Sequence, residues 1–189
     1  MQKHHPFTMV EILLALGICA IGICSVMVLF PIGANASRDA SMETYSANAA
    51  DQILHYLKYQ ITSSQANWDS TVGATATIPT AKPADPGTLT LETTADWTAI
   101  SADLGNNIFS SSTTGIYQII NDRTDPPAVD NTTIDSRILV YVWREEVMAG
   151  VPYDTAARLL LEATWPAELP YNARQKSTYV LEVFKPAFN

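Results

Sequence analysis

The stretch that decides the fold is residues 7–34, which read FTMVEILLALGICAIGICSVMVLFPIGA. Its last 23 residues, 12–34, carry no charge, and Ser25 is the only one of them with a hydroxyl group. As an α-helix this run is about 34 Å long, enough to cross a hydrocarbon core of about 30 Å. A soluble amphipathic helix would carry a polar stripe, and a cleaved secretory peptide would have an apolar region of only ~7–15 residues. The run therefore predicts one retained transmembrane helix.

The charges on either side of this run predict its orientation. Lys3 is the only basic residue before Arg38, and Glu11 is the only acidic residue before Asp39. The rest of the chain holds 18 acidic and 10 basic residues and so accounts for the whole net charge of −8. The positive-inside tendency puts the N-terminus in the cytoplasm and the C-terminal domain in the periplasm or outside the cell. An acidic domain repels nucleic acid, so we expect no nucleic-acid partner.

Glu11 stands at the threshold of the apolar run and allows two interpretations. A carboxylate close to a membrane interior costs a few kcal/mol and usually marks a function or a partner. Alternatively, Glu11 lies at the level of the lipid headgroups, where the positive end of the helix dipole stabilises it by about 0.3–1 kcal/mol. Its position alone does not separate the two.

The residues around Glu11 favour the functional interpretation. Residues 3–11, KHHPFTMVE, and the apolar run after them resemble the prepilin processing and methylation motif of type IV pilins and type II secretion pseudopilins. The resemblance implies a leader at residues 1–6, cleavage between Pro6 and Phe7, methylation of the Phe7 amino group, and a role in subunit assembly for Glu11, the fifth mature residue. The family usually has glycine before the cut. Here that residue is Pro6, which has a fixed φ and no N–H.

The resemblance also implies a function. The chain would be a minor pilin or pseudopilin, a structural subunit of a type IV pilus or type II secretion-like filament, anchored in the inner membrane by a single span before assembly. Its partners would be other pilin or pseudopilin subunits, the prepilin peptidase, the inner-membrane assembly platform and membrane lipid. The pattern from Arg158 through Trp165-Pro166-Ala167 to near Phe184 further resembles PilV-like minor pilins. A second class of function stays open, a membrane-anchored binding protein that never polymerises.

Beyond the span, the pattern predicts that the helix continues outside the membrane. Pro31 and Gly33 are expected to interrupt it near the outer end of the span, either as an ordinary kink at the membrane exit or, as the pilin resemblance implies, as a segment that loosens in assembled filaments. An amphipathic extension over residues 35–64 is predicted because apolar residues recur there at steps of three and four. They are Met42, Tyr45, Ala49, Ile53, Leu57 and Ile61.

Residues 65–189 are predicted to form a β-rich head domain. The segment 64–114 is rich in Thr, Ser, Ala and Pro, which predicts loops, with a short strand at 89–91. Four later segments have the β-branched, aromatic or alternating composition of strands. They are 116–120, 138–143, 159–165 and 179–184. An antiparallel meander whose apolar face covers the outer half of the helix makes the predicted fold α+β.

No motif in the sequence predicts an enzyme. His55 is the only histidine after the first five residues, and no glycine-rich phosphate loop follows a predicted strand. Asn and Asp side chains crowd residues 121–135 and could offer calcium oxygen ligands, but EF-hand spacing is absent and such clusters commonly form turns. Cys19 and Cys24 both lie in the apolar run, so the head domain has no disulfide. We expect no catalytic residue, no bound metal and no cofactor.

Overall fold

The computed structural model describes residues 8–73, 75–85, 91, 96–100, 107–122, 134–150, 152–153 and 155–188, with the backbone alone at 122, 134 and 135. The chain forms two compact units, Met1–Met42 and Glu43–Asn189. One helix contributes residues to both units. The predicted division at residues 6, 34 and 64 stays a prediction.

Helix α1 spans Met9–Thr62, a length of 54 residues. This confirms the long N-terminal helix that the sequence predicts. Every described residue from 8 to 41 is exposed. The large apolar side chains from Met9 to Ile32 number 15, and the least exposed of them, Ile12, is still 53% exposed. The first half of α1 is therefore apolar all round and covered by no other part of the chain that the structure describes.

Helix α1 does not end at Pro31 or Gly33, and a kink or a loosening of this segment in filaments stays a prediction. Pro31 lies inside α1, and the helix continues through both residues to Thr62. Proline lacks the N–H that would bond to the carbonyl of Met27, four residues earlier. Only that one bond is lost, and the helix is long enough on both sides to continue across it.

The second unit contains a six-stranded antiparallel sheet among its described residues. The strands follow the chain in the order β1 to β6, each paired with the next. A short helix, α2, spans Gln65–Thr71 and precedes the sheet. The strands are β1 Trp97–Ala99, β2 Ile108–Ser111, β3 Ile116–Asp122, β4 Ile134–Glu145, β5 Ala156–Trp165 and β6 Gln175–Phe184.

This meander confirms the predicted α+β fold and extends it. All four predicted strands are present, each as part of a longer strand. The strand predicted at 89–91 lies mostly outside the described residues, and Leu91 itself is in a turn. Strands β1 and β2 were not predicted. They have only 3 and 4 residues, too few to show an alternating pattern.

One face of the sheet packs on the second half of α1. Val142 pairs with Leu161, and Leu161 pairs with Tyr179, so the three side chains share a face. The hydroxyl of Tyr179 lies 3.5 Å from the Oγ of Ser46 on α1, which identifies that face as the helix side. Five of the six predicted apolar residues of α1 are buried, and Tyr45 is the exception at 48% exposed. The buried ones are Met42, Ala49, Ile53, Leu57 and Ile61.

The opposite face of the sheet carries a second core that the sequence did not reveal. It is a cluster of buried side chains from four strands and from the loop after β5, with Leu91, Trp143 and Tyr171 packed against it. Its members are Trp97, Phe109, Ile116, Ile120, Leu139, Tyr141 and Ala167. Because both faces of the sheet are covered, the second unit buries a core of its own.

The turn between β2 and β3 depends on Gly115. Its φ is +80°, in the left-handed region, and a Cβ at this position would lie 2.6 Å from the carbonyl oxygen of Val142. The close approach is set by a hydrogen bond of 2.7 Å from the Val142 N–H to the Gly115 carbonyl. Any side chain here would separate the turn from β4.

We expect Gly115→Ala to lower the free energy of unfolding by about 2–4 kcal/mol, combining the cost of a left-handed alanine with that of overpacking. Denaturant unfolding of the detergent-solubilised full chain measures this. Gly150→Ala is the matched control, since Gly150 has φ +83° but no atom within 4 Å of its added Cβ. That variant should lose only about 1–2 kcal/mol. Equal losses for the two variants would contradict the contact with Val142.

Candidate functional site

The N-terminus of α1 is closed by a reciprocal pair of hydrogen bonds between Thr8 and Glu11. The backbone N–H and the hydroxyl of Thr8 both donate to Oε2 of Glu11, at 2.7 and 2.9 Å. In return, the backbone N–H of Glu11 donates to the Thr8 hydroxyl oxygen at 3.4 Å. This is a capping box, with Thr8 as N-cap and Glu11 three residues later. It satisfies donors at the helix start that have no partner within the helix.

The capping box gives Glu11 a structural role that sequence reasoning missed. The signal was present, because a Thr followed three residues later by Glu just before an apolar run is the pattern of a capping box. Both bonds from Thr8 use Oε2, and Oε1 accepts no hydrogen bond from the part of the chain that the structure describes. The cap therefore holds the carboxylate in place and leaves one oxygen for a further partner.

Two of the residues expected to act with Glu11 have no described structure. Pro6 and Phe7 lie outside the described residues. The cleavage between them, the methylation of Phe7 and the assembly role of Glu11 stay predictions. Pro31 and Gly33, the other two predicted site residues, lie inside α1 and are not brought near Glu11 by the fold.

The apolar half of α1 has the length and composition of a membrane span. Among the described residues, α1 is the one helix that is long and apolar enough to cross a membrane. Its most apolar 18-residue window has a mean hydropathy of 2.8, and none of that window is buried. Cys19 and Cys24 are free and exposed on this surface. The hydroxyl of Ser25 donates to the carbonyl of Ile21 at 2.8 Å. The one polar side chain in the run is thus satisfied inside the helix, as a lipid environment requires.

A cluster of polar side chains in the second unit centres on Glu162. Lys82 Nζ lies 2.5 Å from Glu162 Oε1, and the Tyr171 hydroxyl donates to the same oxygen at 2.7 Å. Burial lowers the pKa of Lys82, but its hydrogen bonds to Glu162 and to Tyr171 outweigh that effect and leave the pKa above its ordinary value. A lysine held protonated is a poor base or nucleophile. Its ammonium group acts here as an ionic link between a loop and β5.

A second group of hydrogen bonds, centred on the Tyr141 hydroxyl, lies beside the Lys82–Glu162 pair. The Tyr141 hydroxyl donates to Asp85 at 2.8 Å, and Arg174 donates to the Tyr141 hydroxyl at 3.1 Å. Burial and the bond to Asp85 raise the pKa of Tyr141, so its hydroxyl stays protonated. These contacts fasten the loop around residue 85 and the turn at Tyr171–Ala173 to the centre of the sheet. They hold the second core closed, and none of them presents an activated nucleophile.

No metal centre is found in the described residues, where no three His, Cys, Asp or Glu side chains come together. Most of the Asn- and Asp-rich segment 121–135 lies outside the described residues, so its calcium-binding capacity is untested. His55, the only histidine after the first five residues, lies on α1, where its Nδ1 is 3.2 Å from Oδ1 of Asp51 in an exposed pair.

Comparison with known proteins gives no further guide to function. No protein-family model matches the chain, and no curated protein or solved structure matches it. The arrangement of elements, a long apolar N-terminal helix whose second half packs on an antiparallel sheet, is pilin-like.

Proposed function

We propose that this chain is a structural subunit, a minor pilin or pseudopilin, of a type IV pilus or type II secretion-like filament. It is held in the inner membrane by the first half of α1 before assembly, with its C-terminal domain in the periplasm. Its partners are other subunits of the same kind, a prepilin peptidase, an inner-membrane assembly platform and membrane lipid. Its role is structural and needs no catalytic residue.

The observation that carries this proposal is the uncovered apolar surface of α1. Fifteen large apolar side chains from Met9 to Ile32 are each 53–79% exposed. Removing this much apolar surface from water is worth on the order of 20 kcal/mol. A helix that is apolar all round belongs in lipid or in the interior of a larger assembly. A pilin-like subunit would place this helix in lipid first, as a membrane anchor, and then in the interior of a helical filament.

Glu11 supplies the polar element that such an assembly needs. In the pilin resemblance this carboxylate meets the amino terminus of the mature chain, here the amino group of Phe7, on a neighbouring subunit or its own. Two opposite unit charges about 4 Å apart attract by about 4 kcal/mol at an effective dielectric constant of ~20, against about 1 kcal/mol in water. Oε1 of Glu11 is the atom left available for that contact. The pair would favour one axial register between neighbouring helices.

A non-polymerising, membrane-anchored binding protein would use the same span, so the span does not distinguish it from a filament subunit. The two functions differ in whether the N-terminus is processed. We expect the mature chain to begin at Phe7 with a methylated amino group, despite Pro6. Mass spectrometry of the N-terminal peptide from native membranes measures this, with Pro6→Gly as the reference for efficient cleavage. An intact Met1 or Gln2 in cells that contain the peptidase would favour the non-polymerising anchor.

The second prediction separates the charge of Glu11 from its capping bonds. Glu11→Gln keeps a residue that serves in a capping box but removes the charge, so its incorporation into filaments should fall at least tenfold. Membrane insertion should be unchanged, because a less polar segment inserts at least as well. Cell fractionation, comparing membrane-bound with filament-associated protein, gives both quantities.

Thr8→Val is the matched control, since it removes the capping hydroxyl, worth about 1 kcal/mol, and keeps the Glu11 carboxylate. It should enter filaments at close to the wild-type level, and Glu11→Asp should fall between the two. If Glu11→Gln enters filaments at the wild-type level, or if Thr8→Val is impaired as strongly as Glu11→Gln, the charge of Glu11 has no role in assembly. Glu11 would then serve only as a helix cap.

A further inference from the structure

A polar pocket of about 210 Å³ lies within the second unit, between α1 and the sheet. From α1 it is lined by Tyr45, Asn48 and Gln52, which lie three or four residues apart and so share one face of the helix. From the sheet it is lined by residues of three neighbouring strands or their ends. These are Asn107, Asn121 and Ser136.

The sheet register explains why these distant residues meet. Asn121 of β3 and Ser136 of β4 are direct cross-strand partners. Asn107 immediately precedes β2, and its carbonyl accepts a hydrogen bond of 3.0 Å from the N–H of Ile120. The three side chains therefore come from one end of the sheet. Ile119 and Ile138, which are also cross-strand partners, give the pocket an apolar floor.

Two buried oxygen atoms at this pocket lack a hydrogen bond. Oδ1 of Asn107 and Oγ of Ser136 are both buried and have no partner within the described part of the chain. Buried polar atoms in proteins are almost always satisfied by protein or by another molecule. At about 30 Å³ for each water in the liquid, a volume of 210 Å³ is several times what one bridging water needs. The pocket has room for a small ligand.

The chemistry of the lining selects the kind of ligand. Four amide side chains and a serine supply neutral donors and acceptors side by side. None of the described residues that line the pocket carries a charge, so it offers neither the cation that a phosphate or carboxylate ligand needs nor the anion that an amine needs. Neighbouring hydroxyl groups on a ring, each both donor and acceptor, match such a lining. The apolar floor suits the C–H face of the same ring.

We propose that this pocket binds one ring of a neutral carbohydrate. Tyr45, 48% exposed, lies at the lining with its aromatic ring available to stack on the sugar. The volume is below the ~300–1,000 Å³ typical of drug-sized ligands, which limits the site to a single ring. The ligand is therefore a free monosaccharide or the terminal residue of a longer glycan. The pocket lies entirely within the second unit, so sugar binding does not depend on filament assembly.

Saturation-transfer NMR on the full chain tests this, with a panel of free neutral hexoses and N-acetylhexosamines as probes. The chain is kept in a detergent without a sugar headgroup, because a glycoside detergent would compete for the pocket. We expect saturable transfer to at least one sugar. A methyl glycoside of that sugar that binds equally well indicates a terminal residue of a glycan, and one that is rejected indicates a free monosaccharide.

Three variants locate the binding. Ser136→Ala removes a hydroxyl that bonds nothing in the described chain, and Gln52→Leu removes an exposed amide, so both should fold normally and weaken binding at least tenfold. Gln60→Leu makes the same change on the same helix outside the pocket and should bind as the wild type. Thermal unfolding confirms that each variant is folded. The absence of saturable transfer to every sugar, or equal weakening by Gln60→Leu, overturns the proposal and leaves the pocket to water.

Discussion

The exposed apolar surface of α1 is the constraint on which the rest of this structure depends. From residue 12 to residue 34 the helix offers no polar face, and no described part of the chain covers it. The other features of this segment fit the same requirement. Its one hydroxyl is bonded within the helix, its first turn is capped by its own side chains, and Pro31 does not end it. Apart from the one bond lost at Pro31, the backbone of the segment is hydrogen-bonded within the helix, which is the form of chain that a bilayer accepts.

The helix cap formed by Glu11 is compatible with the assembly role that we propose for the same residue. In the separate subunit it caps α1 through Oε2, which accepts from both the N–H and the hydroxyl of Thr8. In the proposed assembly it pairs with a charged amino terminus, and Oε1 is the oxygen that the cap leaves open. A glutamine can also complete a capping box, so only the assembly role requires the charge of Glu11. The same four residues, Thr8 to Glu11, belong to both the capping pattern and the prepilin-like motif.

The sequence predicted the parts of the fold that follow from local patterns. Residues 12–34 predicted the apolar helix, the three- and four-residue steps from Met42 to Ile61 predicted its buried face, and β-branched runs predicted four strands. Strands β1 and β2 were missed because they are short and lie in a Ser- and Thr-rich region. The break at Pro31 was predicted from residue type alone, although one missing N–H costs a 54-residue helix only one bond. The polar pocket could not be predicted, because it joins α1 to residues 107, 121 and 136 through the sheet register.

The native thiols of Cys19 and Cys24 allow the central claim, that the first half of α1 is buried in lipid or between subunits, to be measured on the unaltered span. Both are exposed on the helix surface of the isolated chain. A membrane-impermeant maleimide should leave them unlabelled in native membranes and label them once the membranes are solubilised in detergent. An added cysteine at Ala47, with Cys19 and Cys24 replaced by Ala, should be labelled in spheroplasts without detergent. Labelling of Cys19 and Cys24 by the impermeant reagent in intact membranes would contradict the account.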